Sequence, residues 1–177
     1  MTVTVRPARA SDANALAVLA AITFPLACPP HTTEASKRAF IAQHLSRTSF
    51  DGYLADPERR LFVAESDGPL LGYTMLVAGE PSDADVAAAV ATRPTIELSK
   101  CYVHPDAHGG GIAAELMRAS LAAAAELMVR SVWLGVNQEN ARAQRFYGRH
   151  GFAVVGAKRF RVGDRDESDF VMELELS

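Results

Sequence analysis

The sequence predicts a mixed α/β fold, a mixed sheet with helices packed on it. Three observations point there. Strand-like and helical runs alternate from residue 95 to residue 152. Two strand-like runs close the chain around a polar turn, and an Asp67-Gly68 turn joins two apolar runs in the first half. Such an order calls for a sheet covered by helices. At 177 residues the chain suits one domain, 1–177, with a single sizeable core.

The elements follow in order. "TVTVRPA" reads as a short first strand, because β-branched residues recur along it. "SDANALAVLAAITF" places alanine and leucine at helical spacing behind Ser11 or Asp12 as a cap. The prolines of "PLACPPHTT" break that helix, and a more polar helix runs through "EASKRAFIAQHLSR". "RRLFVAES" and "PLLGYTMLVA" flank Asp67-Gly68 as a hairpin. "GEPSDADVAAAVATRP" reads as a loop with one short helical turn. "TIELSKCYV" is a strand, "HPDAHGGG" a loop, and "IAAELMRASLAAAAELM" a long helix of high intrinsic propensity. "RSVWLGV" is a strand and "NARAQRFYGRH" a helix ended by Gly151. "FAVVGAKRFRV" and "DFVMELEL" are strands around the turn "GDRDES".

Composition excludes several classes. A formal charge of −3 argues against a nucleic-acid-binding surface, although a net figure leaves room for a local basic patch. No run approaches the length needed to span a membrane, and the N-terminus lacks an apolar signal core. The two cysteines, Cys28 and Cys101, have no metal-ligand spacing and read as free thiols of a cytoplasmic protein. The histidines His31, His44, His104, His108 and His150 form no HExxH or similar pair, so no metal site is expected.

"HPDAHGGGIAAELM" carries the chemistry. A strand, a glycine-rich loop and a helix N-terminus make an anion site, because the first amides of the helix have no intrahelical partners and the macrodipole leaves positive charge there. The loop is neither a P-loop nor a GxGxxG turn. Taken alone, it reads equally well as a structural turn.

"CYVHPDAHGGGIAAELM" resembles the acetyl-CoA-binding motif of the GNAT superfamily of N-acetyltransferases, Gln/Arg-x-x-Gly-x-Gly/Ala, falling here on His108, Gly111 and Ala113. "WLGVNQENARAQRFYGRHGF" resembles the next block of that family, with Asn140, Ala143, Tyr147, Gly151 and Phe152 at its marked positions. The resemblance implies a GNAT-type N-acyltransferase fold, with a central mixed, mostly antiparallel sheet flanked by helices, acetyl-CoA as cosubstrate and no metal. By the same resemblance the backbone of Gly109, Gly110, Gly111, Ile112, Ala113 and Ala114 holds the pyrophosphate. The pantetheine arm pairs like an extra strand with Cys101 and Val103, and an amide near Cys101 or Tyr102 stabilises the thioester oxygen. Asn140 and Tyr147 complete the cofactor set. His108 departs from the motif's Gln or Arg, which puts its side-chain help in doubt, and Gly109 and Gly110 are expected to be freer than Gly111.

Tyr147 is the candidate general acid, since a phenol pKa near 10 lies close to the roughly 8.5 of a thiol. Glu97 is the candidate base. Alternation in "TIELSKCYV" puts Thr95, Glu97, Ser99, Cys101 and Val103 on one face, so Glu97 shares the face of the cofactor positions. The alternatives are core packing for Tyr147 and a salt bridge for Glu97.

The acceptor is expected to meet "FPLACPPHTTE" and "FRVGDRDESDF", whose Asp164, Asp166, Glu167 and Asp169 suit a cationic amine. "GAKRFRVGDRDESDFVMELEL" looks like the PaiA-type spermine/spermidine acetyltransferases, carrying Phe160, Val162, Gly163, Asp164 and Asp169 in their pattern. That resemblance implies a small amine such as a polyamine, attacked directly. Two other readings stay open: a protein N-terminal or lysine acetyltransferase, with a peptide groove open between the N-terminal helices and the last hairpin, and a non-catalytic acyl-CoA-binding regulator. The oligomeric state is likewise open, a homodimer included.

Overall fold

A computed structural model describes residues 2–177, apart from the side chain of Phe160, which lies outside the described residues. Seven strands form one sheet in the order β1-β2-β3-β4-β5-β7-β6. They are β1 Thr4–Pro7, β2 Arg59–Glu65, β3 Leu70–Ala78, β4 Thr95–Val103, β5 Ser131–Asn137, β6 Ala153–Val162 and β7 Arg165–Glu175. Every pairing is antiparallel except β4 with β5. The helices are α1 Ala13–Ala27, α2 Glu34–His44, α3 Arg47–Ala55, α4 Ala84–Ala89, α5 Ile112–Glu126 and α6 Ala141–Arg149.

The helices divide between the two faces. On one, α1 and α3 bury Leu16, Leu19, Phe24 and Phe50 against Leu61, Val63, Tyr73 and Met75. On the other, Met117 and Ala124 of α5 and Phe146 of α6 pack over Leu76, Ile96, Leu98, Val132 and Leu134. A buried hydroxyl pair, Thr74 Oγ1 and Ser120 Oγ at 2.8 Å, fixes α5 on the sheet. Gly72 lets it come close, for a Cβ there would meet Leu116 Cδ1 at 2.9 Å and the Tyr102 carbonyl at 3.0 Å.

The first half departs from the sequence reading in three places. "RTSFDGYLA" is a separate helix, α3, with Ser46 as its cap accepting from the Ser49 amide. The Asp12 side chain does not cap α1. It turns back to take a two-pronged bond from Arg6, at 2.9 and 3.0 Å, while Arg6 also grips Glu65. The helix also continues through Pro25, and the helical stretch Ala10–Ala27 is long and apolar enough to cross a membrane by length and composition. Its inward residues are core, whereas Val18, Ile22 and Leu26 are exposed.

Two irregularities shape the centre. Met75 pairs with Lys100 but Leu76 with Leu98, so Ser99 is an extra residue in β4, a β-bulge. Pairing of β4 with β5 also stops at Glu97–Trp133, although β4 runs on to Val103 and β5 to Asn137. The sheet splits there into a wedge.

Candidate active site

The bulge overturns the expected alternation along β4. Before it, Ile96 and Leu98 face α5 while Glu97 lies opposite Val77 on the α1 face. After it, Cys101 and Val103 face α5, and Lys100 and Tyr102 lie opposite Met75 and Tyr73 on the α1 face. Glu97 therefore shares a face with Lys100 and Tyr102, and not with Cys101 and Val103. The extra residue reverses the side-chain parity from that point on.

At the open end of β4 the chain turns through residues 104–111. The His104 amide reaches Leu71 O at 2.7 Å, and its Nδ1 accepts from the Asp106 amide. The His108 ring folds back, Nε2–H donating to Val103 O at 2.9 Å. That ties the loop to the strand end, an anchoring contact made by the residue that replaces Gln or Arg. Gly109 and Gly111 hold left-handed backbone, φ +82° and +79°, and Gly110 does not. Gly109 is thus as constrained as Gly111, contrary to expectation, and only Gly110 is free to vary. Gly111 is the N-terminal cap of α5 and brings no side chain to its amides. A groove of about 530 Å³ runs from there, lined by Val103, His108, Gly109, Gly111, Ile112, Ala113 and Ala114, and by Arg142 and Arg149 of α6 with His150 just after it.

A second cavity, about 250 Å³, lies on the α1 face of the wedge. Its roof is Phe24, Ala27, Cys28, Pro29, Phe40 and Leu45, and its floor includes Glu97, Lys100, Gly135, Lys158, Glu167 and Asp169. Phe24 and Phe40 stack with centroids 4.4 Å apart. Helix α2 presses on the β6–β7 turn, where a Cβ on Gly163 would meet Ser36 Oγ at 2.3 Å. His31 Nε2–H also donates to Glu167 at 2.7 Å.

The two spaces meet at a shared wall of Ala27, Cys101, Tyr102, Asn140, Ala143 and Tyr147. Tyr147 packs edge-on against Phe146 and Phe152, and its hydroxyl meets the Cys101 thiol. Burial raises the phenol well above 10, so it stays protonated, and pushes the Cys101 thiol up to about 12. Asn140 caps α6, its Oδ1 accepting from the Ala143 amide at 3.1 Å.

Of the catalytic and cofactor residues expected from the sequence, all but two line the groove: Glu97 lies only in the second cavity, and Gly110 is outside both linings. Of the acceptor-side carboxylates, Glu167 and Asp169 line the second cavity and Asp164 and Asp166 line neither. Sequence reasoning missed Lys100 and Lys158 on the floor and took "GDRDES" for a turn. Only Gly163 and Asp164 separate the strands, so from Arg165 the residues alternate. Glu167 and Asp169 are buried, while Asp166 points outward to Arg161 and Arg159. Period-two patterning of that acidic run was the available signal. Burial lowers Lys100 to about 8 and pushes Asp169 up to about 6, with Glu167 adding to the latter and Lys158 opposing it. Burial also raises Glu97, against the pull of Lys158, Lys100 and Arg59. Ligand atoms of His31, Glu139 and Glu167 lie within 4.8 Å of one another, a grouping from three distant segments that spacing alone does not reveal.

Comparison with known proteins gives a consistent result. The sequence model of the "Acetyltransferase (GNAT) family" matches residues 24–152. A protein of Mycobacterium tuberculosis described as an uncharacterized N-acetyltransferase is 45% identical over 166 residues, 94% of this chain and 99% of that protein. A Mycobacterium bovis protein described in the same way gives the same figures. Among solved structures, the PaiA N-acetyltransferase from Thermoplasma acidophilum in complex with coenzyme A aligns with a TM-score of 0.79 at 18% identity, over 99% of this chain and 100% of that one. The ribosomal-protein-S18-alanine N-acetyltransferase from Escherichia coli aligns with a TM-score of 0.67 at 17% identity, over 99% and 95%.

Proposed function

Since the chain belongs to the GNAT acetyltransferase family and is an acyltransferase, we propose that it moves the acetyl group of acetyl-CoA directly onto the primary amine of a small molecule. The observation that carries this reading is the Tyr147 phenol in the wall between two unlike spaces. One space suits a polyphosphate and a thin, extended arm. The other suits an amine.

The groove fits acetyl-CoA. Left-handed Gly109 and Gly111 and the α5 N-terminus without a side-chain cap give backbone N–H groups for the pyrophosphate. Beyond Glu97 the β4 edge facing β5 is without strand pairing, so Cys101 and Val103 have backbone groups for the pantetheine arm. The thioester then lies at the shared wall, where an amide near Cys101 or Tyr102 receives the negative charge that builds on its oxygen.

In the second cavity the ammonium gives a proton to a carboxylate, Glu97 being the sequence's candidate, directly or through water. The free amine attacks the thioester carbon, the N–C bond forms, the C–S bond breaks, Tyr147 protonates the departing thiolate, and the second proton of the acylated nitrogen leaves and restores the phenol, directly or through water. A thiol at about 12 is not a thiolate at neutral pH, which favours direct attack over acetylation of Cys101. The roof of Phe24 and Phe40, and α2 seated on the last hairpin, favour a small acceptor over a peptide in an open groove. Polyamines, implied by the PaiA-like sequence pattern, are the first acceptors to try. Acetyl-CoA consumption across polyamines, aminoglycosides, amino acids and basic peptides tests the reading. Turnover confined to peptides would replace it.

A further inference from the structure

The floor of the amine cavity holds three carboxylates whose situations differ. Glu167 accepts a hydrogen bond from His31 at 2.7 Å. Glu97 is faced by Lys158, Lys100 and Arg59, each of which favours its charged form. Asp169 is only 6% exposed, and its Oδ1 is fully buried with no hydrogen-bond partner. The cations felt at Asp169 reduce to Lys158, while Glu167 repels it. A buried carboxylate oxygen without a donor is costly, and folded proteins rarely leave one.

The surroundings keep this carboxylate at the reacting end of the cavity. Asp169 lies opposite Asn137 of β5 and Lys158 of β6. Its Oδ2 and Lys158 Nζ crowd above Gly135, each 3.3 Å from where a Cβ there would stand. Its charge is felt at the Tyr102 phenol, which belongs to the wall shared with the groove. One oxygen of this carboxylate, Oδ1, thus lacks a donor at the place where the proposed reaction brings an ammonium group.

We infer that Asp169 is the docking carboxylate for the acceptor's ammonium group, holding a primary aliphatic amine beside the shared wall while its carbon chain lies along Phe24, Leu45 and Val162. This rests on the amine-acetyltransferase reading and adds to it the anchor of the acceptor. Lys158 beside it offsets part of its charge and leaves Oδ1 for the ammonium group. Asp166 faces outward and has no part in docking.

The test compares the wild type, Asp169→Asn and Asp166→Asn with hexylamine, cadaverine and spermidine. Initial rates of acetyl-CoA consumption are read, and each amine is titrated calorimetrically into protein saturated with coenzyme A. Asp169→Asn should lower kcat/KM for accepted amines about 10–100-fold, mainly through KM, as befits a lost charge-assisted hydrogen bond. Coenzyme A affinity should hold, and Asp166→Asn should behave as wild type. If the wild type turns over an amine and Asp169→Asn does so within twofold, the docking role is overturned and the acetyltransferase reading stands. If no amine is turned over but one binds the wild type and not Asp169→Asn, docking is supported and the transfer reading fails. If none binds, both fail. Loss of coenzyme A binding in Asp169→Asn would also overturn the assignment, since the defect would then not be confined to the acceptor.

Discussion

Replacing Tyr147 by Phe isolates the proton that the phenol holds at the wall between the two cavities. The ring stays: its contacts with Phe146 and Phe152, at centroid distances of 5.5 and 5.9 Å, need no hydroxyl. What goes is the hydrogen bond with Cys101, which is worth about 1 kcal/mol of stability. Coenzyme A affinity should change less than about threefold, an energy of about 0.65 kcal/mol and below the ~1 kcal/mol of a typical net hydrogen bond. The rate is another matter. The phenol is held well above its ordinary pKa by burial, so it is fully protonated at neutral pH and has a proton ready for a thiolate. A positioned general acid contributes about 10²–10⁴-fold, so kcat at saturating amine should fall at least ~100-fold, about 2.7 kcal/mol in the barrier. Because phenol ionisation lies far above neutrality, the wild type should lose no activity from Tyr147 up to about pH 9. The assay is thiol release at saturating acetyl-CoA, with calorimetry confirming binding. A kcat within twofold of wild type, with binding intact, would refute the general-acid role.

The glycine loop should show a specific order of tolerance. Gly109→Ala and Gly111→Ala each force a left-handed conformation at a cost of about 1–2 kcal/mol, and coenzyme A affinity should fall, whereas Gly110→Ala should bind as wild type because its nearest neighbour is Ala107 O at 3.5 Å. Equal effects at all three positions in calorimetry would contradict the backbone reading. Gly72→Ala should destabilise the fold by about 1–3 kcal/mol through overpacking against Leu116 and the Tyr102 carbonyl, seen as a lower urea midpoint. Arg6 holds the Asp12 carboxyl below its ordinary pKa. A group depressed in this way stabilises the fold above its unfolded pKa, near 3.9, and the benefit disappears as pH falls through the folded value. Arg6→Met should therefore be less stable at pH 7 and lose less on going from pH 5 to pH 2. An unchanged acid limb in urea titrations would count against the pairing.

The sequence carried much of this site because its chemistry is local. The glycine loop, the helix behind it and the Asn140–Tyr147 helix are each contiguous, and their residue types follow from backbone angles and helix periodicity. The features it hid depend on pairing. Ser99 is an ordinary strand residue until the register with β3 makes it a bulge, and that single insertion moves Glu97 off the face of Cys101. The acidic run after Gly163 reads as a turn by composition. Only a two-residue turn and the partners on β6 make it a strand, with Glu167 and Asp169 turned inward. The α3 helix was obscured by Gly52 and by its short length, and Ser46 was its one local marker. The Arg6–Asp12–Glu65 cluster joins residues up to 59 apart in the chain, a distance that no periodicity bridges.

The parting of β4 from β5 has a consequence for the whole molecule. Among the described residues, strand pairing between the two halves of the sheet at that seam is confined to Thr95, Ile96 and Glu97. An extended ligand along the free edge of β4 would supply the missing rungs, so folding and ligand occupancy become one coupled equilibrium. At a free ligand concentration a hundred times its Kd that coupling adds about 2.7 kcal/mol. Hydrogen exchange should register it first at the amides of residues 98–103, so that, on the proposed function, the seam would report cosubstrate supply.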